Sequence, residues 1–515
     1  MRSLAAALVL SVSPLVAVPA ALAAPDLHVE GTRFRDAAGR AVLLRGVNVA
    51  GNSKVPPFVA AAEPGIFAPL PGWGLNTVRL LFTWEAYEPS PGEYDDAYLE
   101  AIAGAAKAAR EAGLYVIIDF HQDGFSRFSI DGCGDGAPSW ALPASVPPKT
   151  PDNGPACASW GIKMQSDKDM LASWDAFHAD EAGVKTRYLA MIESVSARFA
   201  AQPGVIGYDL MNEPWGDEVT ELGPFHEQAA AAVRKASPDA IIFVSPHART
   251  SAGVPTQLEK PTFGNAVYSP HFYDASVILF KSWSGVEPDM AFLTMQSTAD
   301  DWGVPLFVGE LGAPALTAEG PAYIDSLYRH LDAGSLSAAH WVYTPGWTEA
   351  TKDGWNEEDL SIVGAEGELR DNFRARPAWQ KIAGDPALFR VNDAEAPAAR
   401  SIELEWESAP GIGNTELFVP KEAFFGADAL SADSLSVEVE GDGLSCEAGG
   451  DKVVCSTSKP GHMRVVVKKG EASEATGEPG GCSLAGAGQG GGGPMMMACL
   501  ALAHALRRRR ARSRT

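Results

Sequence analysis

From Val42 onward, short apolar runs rich in β-branched residues alternate with longer stretches whose apolar residues recur every three or four positions. The short runs predict strands over residues 42–49, 76–82, 114–120, 205–211, 240–245, 267–270, 305–309 and 338–343. The longer stretches predict helices. In one of them Val184, Tyr188, Met191, Val195 and Phe199 form a single stripe, which stops at Gln202, Pro203 and Gly204. Strands and helices in strict alternation imply an α/β fold, a (β/α)8 TIM barrel over residues 24–391. The connection from Asp123 to about Ser173 is long even for a barrel and predicts an inserted structure on the rim.

Past Phe389 the period drops to two. Ile402, Leu404 and Trp406 alternate with Glu403 and Glu405, and the pattern returns over 435–439 and 463–467. With turn residues between these runs and no helical stripe, residues 392–470 predict a small C-terminal β-sandwich. Its role is to brace the barrel or to bind carbohydrate, and its few aromatics (Trp406, Phe418, Phe424, Phe425) favour bracing.

The two ends read as addresses. Arg2 precedes an apolar stretch interrupted by Pro14 and Pro19 that closes on Ala21, Leu22 and Ala23, so residues 1–23 are expected to be a secretory signal peptide. A Glu, Ser and Gly-rich linker over 471–481 leads to a tail over 482–515 that begins at Cys482 and ends in an arginine cluster starting at Arg507. The tail resembles the tripartite C-terminal sorting tails of bacterial surface proteins. That resemblance implies display at the cell surface, with the arginines on the cytoplasmic side and a membrane association through the tail. Its continuous apolar run, 494–506, is shorter than the roughly 20 residues that span a bilayer, so residues 483–493 would have to contribute.

Export changes the reading of the six cysteines. In an oxidising compartment Cys133 with Cys157 and Cys446 with Cys455 are the local pairs expected to form disulfides, leaving Cys482 and Cys499 in the tail. A formal net charge of −24, reached despite the terminal arginines, repels phosphate backbones and argues against nucleic-acid partners. No glycine-rich phosphate loop follows a predicted strand and no His or Cys group has zinc spacing, so neither cofactor nor metal is expected.

In barrels of this kind catalytic groups stand at the C-terminal ends of strands. Two glutamates hold that position: Glu213, near the end of the run Gly207 to Pro214, and Glu310, near the end of the run Pro305 to Gly312. Arg79, His121, His271, Tyr273 and Trp341 fall at other strand ends. Asn212-Glu213-Pro214 after the fourth strand, Gly309-Glu310 after the seventh and these partners resemble glycoside hydrolase family 5 over most of the barrel. Within it, Lys54 in the run 51–56, the run Asp119 to Asp123, and the run Tyr268 to Tyr273 look like the endoglycoceramidases, which also suits the following sandwich.

The resemblance implies a retaining double displacement, with Glu310 as nucleophile and Glu213 as acid and base, the carboxyls about 5–5.5 Å apart. Arg79 and Tyr273 would stabilise the Glu310 anion. Asn212 would hold the sugar 2-hydroxyl, Trp341 would form an apolar floor under the sugar, and Lys54 and Asp123 would bind sugar hydroxyls. His121 and His271 are expected to be functional strand-end histidines. Phe125, Phe128, Trp140, Trp160, Trp347 and Trp355 lie on predicted rim loops, where they line a lipid channel or pack the loops; the insertion after Asp123 is expected to wall an apolar trough for the leaving group. The implied substrate is a glycolipid or oligosaccharide, cut between glycan and ceramide. The alternatives are another family 5 activity, a glucosylceramide or steryl β-glucosidase or an endo-β-glucanase, and, remotely, a non-catalytic surface glycan-binding protein, which would be expected to lack one carboxylate.

Overall fold

A computed structural model describes residues 26–49, 51–59, 61–429 and 435–470. The expected signal peptide, linker and sorting tail therefore lie outside the described residues. Among the described residues, no helix is long and apolar enough to cross a membrane.

Each of the eight predicted apolar runs overlaps a strand: β1 Arg45–Val49, β2 Thr77–Thr83, β3 Tyr115–His121, β4 Val205–Asp209, β5 Ile241–Val244, β6 Ala266–Tyr268, β7 Phe307–Leu311 and β8 Ser337–Tyr343. They pair in parallel in the order β7-β8-β1-β2-β3-β4-β5-β6. Bridges from Tyr268 to Leu306 and from Phe272 to Leu311 nearly close the sheet into a barrel. The strands are buried on both faces, which is why they read as continuous apolar runs without alternation. Helices cover the outside. α1 Asp96–Glu111 starts where the Asp95 carboxylate accepts a hydrogen bond from the Tyr98 backbone N–H. α2 Val184–Phe199 buries the predicted stripe of Val184, Tyr188, Met191, Val195 and Phe199.

After the barrel, antiparallel pairing resumes at Ala378, ahead of the change of period past Phe389. β9 Ala378–Ile382 pairs with Ala41–Val42, and β10 Gly384–Asn392 pairs with β11 Ser401–Ser408. A seven-stranded sheet thus joins strands Leu27–Glu30, Arg33–Asp36 and Ala41–Val42 to β9, β12 Thr415–Phe418 and the hairpin of β14 Leu444–Gly449 and β15 Lys452–Thr457. A second sheet contains β10, β11, β13 Leu435–Glu440 and β16 Gly461–Lys469. The two share one core in which Trp379, Leu417 and Val453 meet Phe389, Leu404, Trp406 and Val465. Segments on either side of the barrel pair because each would otherwise expose a row of unpaired peptide groups. The same N-terminal strands contribute Leu27 and Phe34 to a cluster with Ile117, Phe243, Val267 and Phe307 of the barrel.

Both expected disulfides are present. Cys446 and Cys455 face each other across the β14–β15 pair, and Cys133 and Cys157 join two parts of the insertion after β3. The second closes a 24-residue separation, so the double variant Cys133→Ala, Cys157→Ala is expected to lose about 3 kcal/mol of stability by the loop-entropy relation. Urea unfolding of oxidised protein and the double variant checks this; equal midpoints would mean the crosslink constrains nothing in the unfolded chain.

Candidate active site

Arg79, near the middle of β2, is fully buried at the centre of the site. Its Nη2 donates to Asp119 Oδ1 at 2.8 Å, Asp209 Oδ2 at 3.0 Å and Asn212 Oδ1 at 2.8 Å. Its Nη1 donates to Asn48 Oδ1 at 2.9 Å and Glu310 Oε1 at 3.0 Å. A guanidinium is suited to this because it offers five donors in a fixed plane and keeps its charge. Burial works against that charge, but Asp119, Asp209 and Glu310 outweigh it and raise the Arg79 pKa above its ordinary value. Burial also lifts the Asp209 carboxyl to about 6 despite the neighbouring Arg79.

Arg79 fixes one oxygen of Glu310, and Tyr273 fixes the other, its hydroxyl donating to Oε2 at 2.9 Å. Burial first, and the Glu310 charge second, push the Tyr273 phenol well above its ordinary pKa and keep it a donor. Glu213 is held through Oε1, which accepts from Ser251 Oγ at 2.5 Å and lies 2.9 Å from His271 Nδ1. The same ring nitrogen is 3.5 Å from Glu310 Oε2. Burial disfavours a charged His271, yet Glu310 and Glu213 together raise its pKa above the ordinary value. The ring comes this close only because residue 309 is glycine: a Cβ there would stand 2.8 Å from His271 Nε2.

One oxygen of each glutamate and a His271 ring nitrogen lie within 4.8 Å of one another. Glu213 also has a φ of +38°, a conformation rare outside glycine that costs about 1–3 kcal/mol and clusters at functional sites. Asn212, beside it, donates from Nδ2 to the Gln122 carbonyl, while Gln122 Nε2 donates to the carbonyls of Asn212 and Glu213.

From Arg79 a chain of alternating charge runs toward the β1 loop. Asp119 Oδ2 is 2.7 Å from His121 Nδ1, His121 Nε2 is 3.3 Å from Asp123 Oδ2, and Lys54 Nζ donates to that same oxygen at 2.6 Å. Burial opposes protonation of His121, but Asp119 and Asp123 prevail and push its pKa up to about 10. Desolvation, then the nearby Asp123 charge, raises the Asp135 carboxyl well above its ordinary value. Trp341 lies flat on His121, ring centroids 5.5 Å apart.

His121 ties stability to pH. Its folded pKa of about 10 exceeds the ordinary 6.5, so its contribution is fully present below about pH 6.5 and is lost as pH rises through about 10. Between pH 7 and 9.5 the wild type is expected to lose stability with a His121 component approaching ~1.4 kcal/mol per pH unit. His121→Gln should flatten that decline. Denaturant unfolding across this range checks it, and parallel pH profiles would assign the charge elsewhere.

The fold thus brings all ten sequence-predicted residues together: Glu213, Glu310, Arg79, Asn212, His271, Tyr273, Trp341, His121, Asp123 and Lys54. Sequence reasoning assigned no part to Asn48, Asp209, Ser251 or Asp135, and quoted Asp119 and Gln122 only within a motif. The alternation of Asp119, His121 and Asp123 was a usable signal, since side chains two apart share one face of a strand. Among the rim aromatics, Phe125 is packed against Trp174 and Phe177, and Trp140 against Trp84. Arg127 covers Phe128, and Arg370 covers Trp347. Trp160 and Trp355 stand beside Lys54.

Among the described residues, two groups have the donor atoms for a cation: His121 with Asp123 and Asp135, and Glu213 with His271 and Glu310. In both, protein donors already serve those atoms. Lys54 is on Asp123, and Arg79, Tyr273 and Ser251 are on the glutamates.

A family model described as Cellulase (glycosyl hydrolase family 5) matches residues 35–346, more than half of the chain and all of the barrel strands. The chain belongs to glycosyl hydrolase family 5. It is a glycoside hydrolase. Among curated proteins, Endoglycoceramidase I of Rhodococcus hoagii (strain 103S) is 29% identical over 269 residues, 48% of this chain and 52% of that protein. Glucosylceramidase of Aspergillus fumigatus is 38% identical over 144 residues, 23% of this chain and 19% of that protein. The chain therefore spans about half the length of the first relative and about a fifth of the second. Among solved structures, endo-glycoceramidase II from Rhodococcus sp. in a cellobiose-like imidazole complex has a TM-score of 0.68 at 24% identity, over 85% of this chain and 99% of that one. Cryptococcus neoformans sterylglucosidase 1 with tris has a TM-score of 0.69 at 18% identity, over 87% and 97%. At these identities the structures establish the shared fold.

Proposed function

We propose that this glycoside hydrolase cleaves the β-glycosidic bond between the sugar headgroup and the lipid of glycosphingolipids, with retention of configuration. Glu310, held at both oxygens by donors, attacks the anomeric carbon while Glu213 protonates the departing oxygen. Water, deprotonated by Glu213, then displaces Glu310 from the glycosyl-enzyme. The proximity of the two carboxyls, with oxygens within 4.8 Å, supports retention; inverting pairs stand about 6.5–9.5 Å apart. The Asn212 amide, oriented by Arg79 and Gln122, is suited to the sugar 2-hydroxyl, and Trp341 to the sugar face.

The observation that carries the lipid half of this reading is a set of exposed apolar residues on the segments that follow β6, including the first turns of the helix Asp289–Trp302, and on the β7 loop. Leu279, Phe280, Val286, Met290, Leu293 and Leu316 are exposed, Phe280 at 76% and Leu316 at 82%. The two loops are joined by hydrogen bonds from Ala318 N to Lys281 O and from Trp283 N to Ala318 O. Single exposed apolar residues are ordinary; a group of them at a barrel mouth marks a binding surface. The rim is read as the leaving-group side because it neighbours the loop that holds the acid. Glu213 is held by Ser251 of the β5 loop, and Gly253 in that loop comes so near the helix Asp289–Trp302 that a Cβ on it would stand 3.2 Å from Ala291 Cβ, next to Met290. The insertion after β3, expected to wall the apolar trough, brings Trp160 beside Lys54, and the exposed apolar residues after β6 and β7 are read as a further wall facing the lipid.

Burying even about 100 Å² of ceramide on this rim contributes about 2.5 kcal/mol. Phe280→Ser combined with Leu316→Ser is therefore expected to lower kcat/KM on a glycosylceramide about tenfold or more while leaving a soluble aryl β-glycoside unchanged. Equal losses on both substrates would remove the rim from substrate recognition. Incubation with glycosphingolipids, a steryl glucoside and soluble β-glucans tests the substrate class; release of sugar from the glucans alone would overturn it. Export through residues 1–23 and retention at the bacterial surface through 482–515 belong to the same reading, supported by two disulfides among the described residues. The β-sandwich is read as a brace, supported by the core it shares with the strands flanking β1.

A further inference from the structure

Three loops converge on Lys54. Its ammonium is 2% exposed, paired with Asp123, and faces the rings of Trp355 at 3.7 Å and Trp341 at 4.5 Å. Trp355, in the loop after β8, is itself 2% exposed and packs on Trp160 of the insertion, ring centroids 4.8 Å apart. That contact is latched from both sides. Trp160 Nε1 donates to Glu358 Oε1 at 3.2 Å, and Asn356 donates from Nδ2 to the Cys133 carbonyl at 2.7 Å and from its backbone to the Asn153 carbonyl at 2.9 Å. The Cys133–Cys157 disulfide closes the segment that supplies two of these partners.

A pocket that takes a chain of sugars needs, beyond the sugar at the cleaved bond, an open aromatic face and free hydrogen-bonding groups. Here the aromatic face that follows Trp341 is covered. Trp355 presents its face to an ammonium, an arrangement that strengthens when water is excluded, and its other neighbour is Trp160. The ammonium in turn is committed to Asp123. We propose that Trp355, with Trp160 and Glu358 behind it, closes the sugar side of the site after one residue, so that the preferred substrates are lipids carrying a single hexose. This rests on the glycolipid reading above for the lipid and on the paired glutamates for the chemistry. A second sugar would have to displace a packed indole and expose a paired cation, a penalty built against the longer headgroup.

The test separates the sugar side from the lipid side by using two substrate pairs: aryl β-glucoside against aryl β-lactoside, and glucosylceramide against lactosylceramide. The wild type is expected to show at least about a hundredfold higher kcat/KM on the single-sugar member of each pair it cleaves. Trp355→Gly should reduce that ratio to about tenfold or less by raising activity on the lactosyl member. Should this variant fail to fold, Trp160→Ala, at a half-buried position in the same wall, is expected to move the ratio in the same direction. Release of intact lactose by the wild type at a rate within about tenfold of glucose release would overturn the proposal, as would a ratio unmoved in the folded wall variants. Cleavage of the aryl pair with the expected ratio but of neither ceramide would leave the wall intact and defeat the glycolipid reading instead.

Discussion

Glu310→Gln is expected to lower turnover by about four orders of magnitude or more on every substrate and to abolish trapping of a covalent glycosyl-enzyme by a 2-deoxy-2-fluoro glycoside. The glutamate is held on one oxygen by Arg79 and on the other by Tyr273, so the amide of Gln would keep the shape while removing the attacking anion. Glu213→Gln should behave differently. With an alkyl leaving group such as ceramide it loses about a hundred- to ten-thousandfold, because the departing alkoxide needs a proton. With an activated aryl leaving group the first step is spared, and the covalent intermediate accumulates because no base remains to activate water. Rapid-quench mass spectrometry of both variants reads this directly. Trapping in Glu310→Gln, or wild-type turnover in either, would remove that residue from the assigned role.

Arg79→Leu is expected to cost about 3–5 kcal/mol of stability, together with most activity. The side chain is fully buried and is the shared partner of Asp119, Asp209 and Glu310. Removing it takes the ion-pair partner from buried Asp209 and leaves Asp119 to His121 and Glu310 to Tyr273 and His271, which is far more costly than losing a surface ion pair. Arg79→Lys should recover part of the stability, since it restores a charge, and little of the activity, since a point charge cannot orient Glu310, Asn212 and Asn48 at once. Urea midpoints and kcat/KM for the two variants check the split. A folded Arg79→Leu with near wild-type stability would mean that the carboxyls are neutral, and that the charge balance described around Arg79 is incorrect.

The barrel was legible because strands buried on both faces stand out as apolar runs, and the glutamates because each directly follows one. What escaped was polar chemistry inside those runs. Asp119 and Asp209 occupy strand positions where a charge is tolerated only in the presence of a partner, and that partner, Arg79, comes from another strand with no sequence proximity. Ser251 was invisible for a related reason: a serine in a loop has no signature until the fold brings Glu213 to it. The exposed apolar residues after β6 and β7 drew no notice because aromatic content pointed to the insertion after β3. There Phe125 and Trp140 are consumed by loop packing, while aliphatic residues on short segments after β6 and β7 stay exposed. The antiparallel part extends below residue 392 because its first sheet borrows strands from before β1, a pairing between distant segments that no local period encodes.

The central claim is that two carboxyls within reach of one anomeric centre cleave the sugar from a membrane lipid with retention. Proton NMR of the sugar first released from glucosylceramide, recorded before mutarotation, tests it most directly. Early appearance of the β-anomer is the predicted result; early appearance of the α-anomer, or no sugar released while soluble glucans are degraded, would contradict it.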